Sequence, residues 1–179
     1  MFMSVFARRW TRGLALLAAL GASPAWAVEE QELKAAIVFN LLLFVEWPVD
    51  AVAASTVSMV LCVSPSNALN APLKALQGRP VRSQLLDVRD LPAGASRAAC
   101  HAVYLDAADS ARLAAAKPDQ VSMALVISDD VDSPLPQAAI VLRHVGGRIG
   151  FDVNLEAARQ ARLQFSSKLL RLARRVNDR

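Results

Sequence analysis

The sequence predicts an α/β fold: a single compact domain in which a mixed sheet is flanked by helices, with a C-terminal β-hairpin followed by two more helices. Three observations predict it. Short apolar runs rich in β-branched residues alternate with segments whose leucines recur at helical spacing. Residues on both sides of Gly146-Gly147 alternate in polarity, as two strands joined by a tight turn do. No internal repeat or low-complexity linker divides the 179 residues, and a hydrophobic content of 54% supports a sizeable core.

The first segment is a leader. Arg8, Arg9 and Arg12 precede an apolar run from Gly13 to Ala22, and Ala25-Trp26-Ala27 offers small residues where a signal peptidase reads them. The run is far shorter than the roughly 20 residues that span a bilayer. Residues 1–27 therefore read as a Sec-type signal peptide cut after Ala27, leaving 28–179 as the domain in the periplasm. Removing the leader takes three of the 20 basic residues and none of the 16 acids, so 17 oppose 16 and the domain is nearly neutral. That argues against nucleic acid as a partner. Basic residues still exceed acidic ones, nine to three, over 143–179, which reads as a solvated helix face or as a binding patch.

Each further element has its own signal. Glu29 to Glu46 reads as a helix with acids in its first turn; only Asn40 is polar between Ala35 and Val45, so burial on most sides is expected and Asn40 needs partners. Pro48 disfavours helical geometry at Trp47 and stops the run, and a run of eleven residues is too short for a membrane segment. Val57 to Val63 reads as a buried strand, Ala68 to Gln77 as a helix stopped by Gly78, and Pro80 to Arg89 as one extended strand. His101 to Leu105 and Ser122 to Ser128 are further strands, separated by a helix from Ala108 to Lys117. After the hairpin, Asn154 caps a helix from Leu155 to Ala161. Ser166 or Ser167 opens the last helix, with Leu169, Leu170, Leu172, Ala173 and Val176 on its buried side and Arg171, Arg174 and Arg175 toward its carbonyl end.

Cys62 and Cys100 are the two cysteines. In an oxidising compartment an even count favours a disulfide between them. No cysteine lies near the cleavage site to carry a lipid anchor. His101 and His144 lack the spacing of a zinc site, so neither metal nor cofactor is expected. Glu46 falls where a helix disfavours negative charge and calls for a cation, with Arg148, Lys168 and Arg171 as candidates. Trp47 reads as a lid over the helix end, the other reading being an exposed partner-binding tryptophan.

Several stretches together resemble the YfiR family of periplasmic proteins: "LKAAIVFNLLLFVEWP" with Asn40, Glu46, Trp47 and Pro48, "LCV" around Cys62, "GRPV", "CHAVYL" from Cys100, and "FDVNLEAARQARLQFSSKLLRLA" with Asn154. They occur in order over nearly the whole domain. The resemblance implies a compact α/β domain that represses an inner-membrane diguanylate cyclase by binding its periplasmic domain, lowering cyclic di-GMP and biofilm formation. It also implies an outer-membrane lipoprotein that relieves repression; a second copy of the chain is a further candidate partner. Two positions depart from the family pattern. Gln137-Ala138 stand where members often carry two glycines. Arg162 stands where they often carry one, and a left-handed arginine there costs about 1 kcal/mol.

Three function classes compete: a protein-binding regulator, a small-molecule sensor, and an enzyme. Ser128-Asp129-Asp130 follows a strand, where α/β sheets place ligands, but no histidine is positioned to activate Ser128 and no catalytic constellation is visible. The regulator is preferred, with a basic contact surface drawn from Arg148, Arg171, Arg174 and Arg175, and with no insertion of the mature chain into a membrane.

Overall fold

The computed structural model describes residues 25–48, 58–115 and 123–178. Residues 1–24 of the expected leader, the first residue of the expected strand at Val57, the end of the expected helix at Lys117 and the first residue of the expected strand at Ser122 lie outside the described residues. Five helices surround an eight-stranded mixed sheet and a two-stranded one: α1 (Ala25–Leu42), β1 (Val45–Glu46), β2 (Ser58–Val63), α2 (Asn70–Lys74), β3 (Pro80–Val81), β4 (Gln84–Asp90), β5 (Ala102–Leu105), α3 (Ala107–Ala115), β6 (Leu125–Ser128), β7 (Ile140–Val145), β8 (Arg148–Asn154), α4 (Leu155–Gln160), β9 (Gln164–Phe165), α5 (Ser167–Leu172) and β10 (Arg175–Asn177). The large sheet runs β10-β8-β7-β6-β5-β2-β4-β3. Its centre, β4-β2-β5-β6-β7, is parallel, and antiparallel pairs join β3 to β4 and β7 to β8. The α/β expectation holds.

Strand periodicity divides the interior into two cores. Met59, Leu61 and Val63 of β2, Tyr104 of β5 and Ile127 of β6 face α1, whose Val38, Leu41 and Leu42 are nearly inaccessible. The alternate residues Val60, Cys62, Val103, Leu105 and Val126 face the other way, toward Cys100 and Leu113 of α3. Parallel strands buried on both faces read as continuous apolar runs, as β2 does. Each fully buried leucine contributes roughly 1.5–3 kcal/mol, so both layers are needed to hold the sheet.

The expected disulfide joins Cys62 in β2 to Cys100 just before β5, closing a sequence separation of 38 residues. Next to it, His101 is 6% exposed. Its Nδ1 accepts a hydrogen bond from the Val60 N–H at 3.0 Å, which fixes the neutral tautomer. Burial, and then the charge of Arg89, hold the imidazole below its ordinary value of 6.5. Because the folded chain resists a proton that the unfolded chain accepts, this contribution is full above pH 6.5 and is lost as pH falls below it. Thermal scans between pH 7.5 and 5 should show a declining midpoint, and His101→Gln should flatten that decline. Equal slopes in both proteins would refute the assignment.

Three elements, and the burial of Asn40, differ from expectation. α1 ends at Leu42 rather than Glu46: the chain leaves the helix to pair Val45 with Phe165 and Glu46 with Gln164, and Ser166 N–H bonds the Phe44 carbonyl. Asn40 is exposed on α1 rather than buried. The segment expected as one strand from Pro80 is a hairpin, β3–β4, turning through Arg82 at a φ of +54°. That left-handed arginine bonds the Leu43 carbonyl through Nε and lies 3.6 Å from Glu46, so the cation serving Glu46 is Arg82, not Arg148, Lys168 or Arg171. The last helix stops at Leu172, after which the chain extends into β10 parallel to β8. Leu172 and Val176 are thus exposed rather than buried, and Arg174 and Arg175 do not belong to a helix.

Candidate functional site

Gly146 and Gly147 both take positive φ, +56° and +74°, which fits the primed turn of a two-residue hairpin. The turn sets the β7–β8 register: Val141 faces Asp152, Arg143 faces Gly150, and Val145 faces Arg148. One face of the hairpin therefore carries Arg143, Arg148, Gly150 and Asp152. Past α5, Ala173 is extended, and Arg174 N–H bonds the Phe151 carbonyl at 2.9 Å, delivering Arg174 beside the same face.

Gly150 makes room for that arginine. A Cβ at position 150 would meet Arg174 Cδ at 2.6 Å and Cγ at 3.1 Å, so the stem of Arg174 lies where a side chain would otherwise be. Its guanidinium Nη1 ends 3.5 Å from Asp152 Oδ1, while Arg143 Nε bonds Asp152 Oδ2 at 2.5 Å. Two guanidinium groups thus share one carboxylate, whose side chain is 8% exposed.

The opposite wall comes from α1 and the end of β6. β6 pairs with β7 through Ile127↔Ile140 and Ser128↔Val141. Beyond Ser128 the two chains part, leaving a cleft of about 360 Å³ lined by Asp129 and Val131 on one side and by Leu142 to Val145 on the other. Lys34 enters from α1, 3.2 Å from Asp129 and 3.1 Å from Glu30. Burial opposes its charge, but the bond to Glu30 and the nearby Asp129 outweigh that and hold the ammonium above the usual lysine range. The bond from Lys34 in turn lowers the Glu30 carboxyl. His144 Nε2 lies 3.3 Å from Glu30, tying the hairpin to α1. Behind Asp129 the phenol of Tyr104 is buried without a hydrogen-bond partner among the described residues; burial, then the charge of Asp129, push its pKa far up, so it stays neutral.

Of the residues the sequence offered for a contact surface, Arg174 and Arg175 line this cleft and Arg148 sits across from its rim residue Val145. Arg171, exposed on α5, is not part of it. Trp47 is half-buried against the α1 core and donates from Nε1 to the His101 carbonyl at 3.0 Å. Pro48 follows it in irregular chain. Asn154 caps α4, accepting from Ala157 N–H at 3.2 Å, and also bonds the Pro136 carbonyl. Sequence reasoning did not single out Lys34, Arg143, Gly150 or Asp152. The i,i+4 spacing of Glu30 and Lys34 and the hairpin register were the available signals.

No group of three or more histidine, cysteine or acidic side chains among the described residues is placed to hold a metal ion. Ser128 is fully buried, bonded to the Asp130 N–H and within 3.3 Å of Ser110, so its hydroxyl supports the loop after β6. Among the described residues no helix is long and apolar enough to cross a membrane. An α/β domain whose assembled charged groups surround an open cleft has the features of a binding or regulatory module. The chain belongs to the YfiR/HmsC-like family, whose model matches residues 31–174. No curated protein matches it significantly. Membership points to a regulator of diguanylate cyclase signalling in the periplasm, from a family that is regulatory rather than catalytic.

Proposed function

We propose that this chain represses an inner-membrane diguanylate cyclase by binding the enzyme's periplasmic domain, and that an outer-membrane lipoprotein relieves repression by capturing the regulator. The family match over residues 31–174 carries the reading, and the leader expected over 1–27 supports export. A periplasmic protein can act across the membrane only by binding one conformation of a spanning partner more tightly than another; equal affinity shifts nothing.

The contact surface we favour is the edge formed by α5 and β10. All three β10 residues are exposed. Leu172 and Val176, 62% and 42% exposed, lie in the same segment as Arg171 and Arg175, a mix of apolar and arginine side chains that suits an interface. Arg148 at the hairpin is a further candidate. Arg174 is a poor site for charge reversal, because its stem fills the space over Gly150 and a glutamate there would face Asp152.

Deleting the gene should raise cyclic di-GMP and biofilm formation. Reversing Arg171 and Arg175 to Glu should weaken partner affinity about tenfold or more while leaving the unfolding midpoint within a degree or two. Unchanged cyclic di-GMP in the deletion strain, with the cyclase expressed, would overturn the proposal. Full repression by the double reversal would overturn the choice of surface. A periplasmic small-molecule sensor is the second reading, and the cleft is the observation in its favour.

A further inference from the structure

We infer that the cleft bounded by Lys34–Asp129 and by Arg143–Arg174–Arg175 binds a small hydroxylated organic anion with a carboxylate or phosphate head. The inference holds whichever protein the chain regulates, so its failure would leave the cyclase proposal standing.

The charges on the two walls are unequally matched. On the arginine wall three guanidinium groups line the cleft, and two of them, Arg143 and Arg174, share one carboxylate, Asp152, which is itself buried. Arg143 uses Nε on Asp152 Oδ2, leaving its two terminal nitrogens. Arg174 approaches Asp152 Oδ1 only to 3.5 Å and makes no side-chain hydrogen bond among the described residues; Arg175 has no ion pair among them. The wall therefore holds three positive charges against one negative, with most of its planar donors unused. Forked guanidinium donors suit carboxylate and phosphate oxygens.

The wall is also pre-positioned. An ordinary surface arginine would have to be ordered on binding, whereas Arg174 already lies over Gly150, its side chain 33% exposed. Holding a donor in place before the ligand arrives lowers the entropy lost on binding.

The facing wall sets the other end of the ligand. Lys34 is matched by both Glu30 and Asp129, so these three groups sum to one negative charge. A second anionic group would be repelled there, while a hydroxyl would find an acceptor in Asp129, which lines the cleft. Leu142 and Ile149 add apolar surface to the lining. One acidic head with hydroxyls beyond it is the chemistry that satisfies both walls.

Calorimetric titration of the leaderless, disulfide-bonded protein with glycerate and with glycerol 3-phosphate, at fixed ionic strength in chloride, tests this. The two probes share hydroxyls and differ in the head, so they separate a carboxylate from a phosphate source. Saturable binding of at least one is expected. Arg174→Gln should weaken it at least tenfold. Gly150→Ala, which keeps every charge but displaces Arg174, should weaken it severalfold, and Arg171→Gln should bind as wild type does. Should Arg174→Gln fail to fold, the exposed Arg175→Gln decides in its place. No saturable binding of either probe above chloride, or wild-type affinity in both the arginine and the glycine variants, would overturn the inference.

Discussion

Replacing both cysteines, Cys62→Ala with Cys100→Ala, should lower the stability of the domain by about 4 kcal/mol in the chain-entropy model, and its unfolding midpoint by roughly 10 °C. The bond closes a loop with a sequence separation of 38 residues that contains α2, β3 and β4. Without it, the unfolded chain regains the freedom that the closed loop denied. The native state loses a link as well, because Cys62 lies on the central strand β2 and Cys100 leads into its neighbour β5. Both sulfurs belong to the smaller core, with Val60, Val103 and Val126, so the alanines also leave a partly filled space there. Denaturant titrations of the wild type with and without reductant give the same comparison without mutation. A reduced protein as stable as the oxidised one would show that the bond contributes nothing to stability.

Local chemistry made much of this fold legible. Gly146-Gly147 announced the β7–β8 hairpin, and both glycines adopt the left-handed conformation the turn requires. Asn154 and the pair Ser166-Ser167 marked two helix starts, and Asn154 and Ser166 accept the capping bonds. The departure at Arg162 signalled a left-handed arginine, and its φ is +56°. What failed were the places where a distant strand overrides a local pattern. The apolar residues from Leu41 to Val45 suit a helix or a strand equally well, and pairing with β9 decides for the strand at Val45. The spacing from Leu169 to Val176 is helical, yet pairing with β8 pulls Arg175 to Asn177 into a strand. No glycine marks the β3–β4 turn, where Arg82 takes the strain and bonds the end of α1 in return.

The cleft was only partly legible for the same reason. Arg174 and Arg175 drew attention as part of a basic C-terminal segment, but a continuing helix would not have carried them along β8. The extended chain that leads into β10 does, through the bond from Arg174 N–H to the Phe151 carbonyl and the pairing of Arg175 with Asp152. Asp129 stood out at the end of a strand, whereas its ion pair with Lys34 spans 95 positions that no local pattern links. Asp152 became findable only once the register was known, since alternation places it on the face that carries Arg143 and Gly150.

Asp152→Ala should cost about 2 kcal/mol, a large loss for one side chain away from the apolar core. Asp152 is 6% exposed and, among the described residues, is the one acid that both Arg143 and Arg174 approach. Breaking a fully buried ion pair by deleting one partner costs more, but both guanidinium groups keep about a third of their surface in water, and solvent screens part of the loss. What remains after the deletion is two like charges held together over the β7–β8 hairpin, one by the register and the other by the space above Gly150. Two consequences separate this account from simple loss of packing. Added salt should stabilise Asp152→Ala more than the wild type, because it screens the exposed repulsion. Removing the second charge, in Asp152→Ala with Arg174→Gln, should recover about 0.5–1 kcal/mol relative to additivity. Denaturant midpoints at low and high salt for the four proteins of this cycle supply both readings. A single Asp152→Ala loss under about 0.5 kcal/mol, with no difference in salt response, would mean that the two arginines do not depend on this carboxylate.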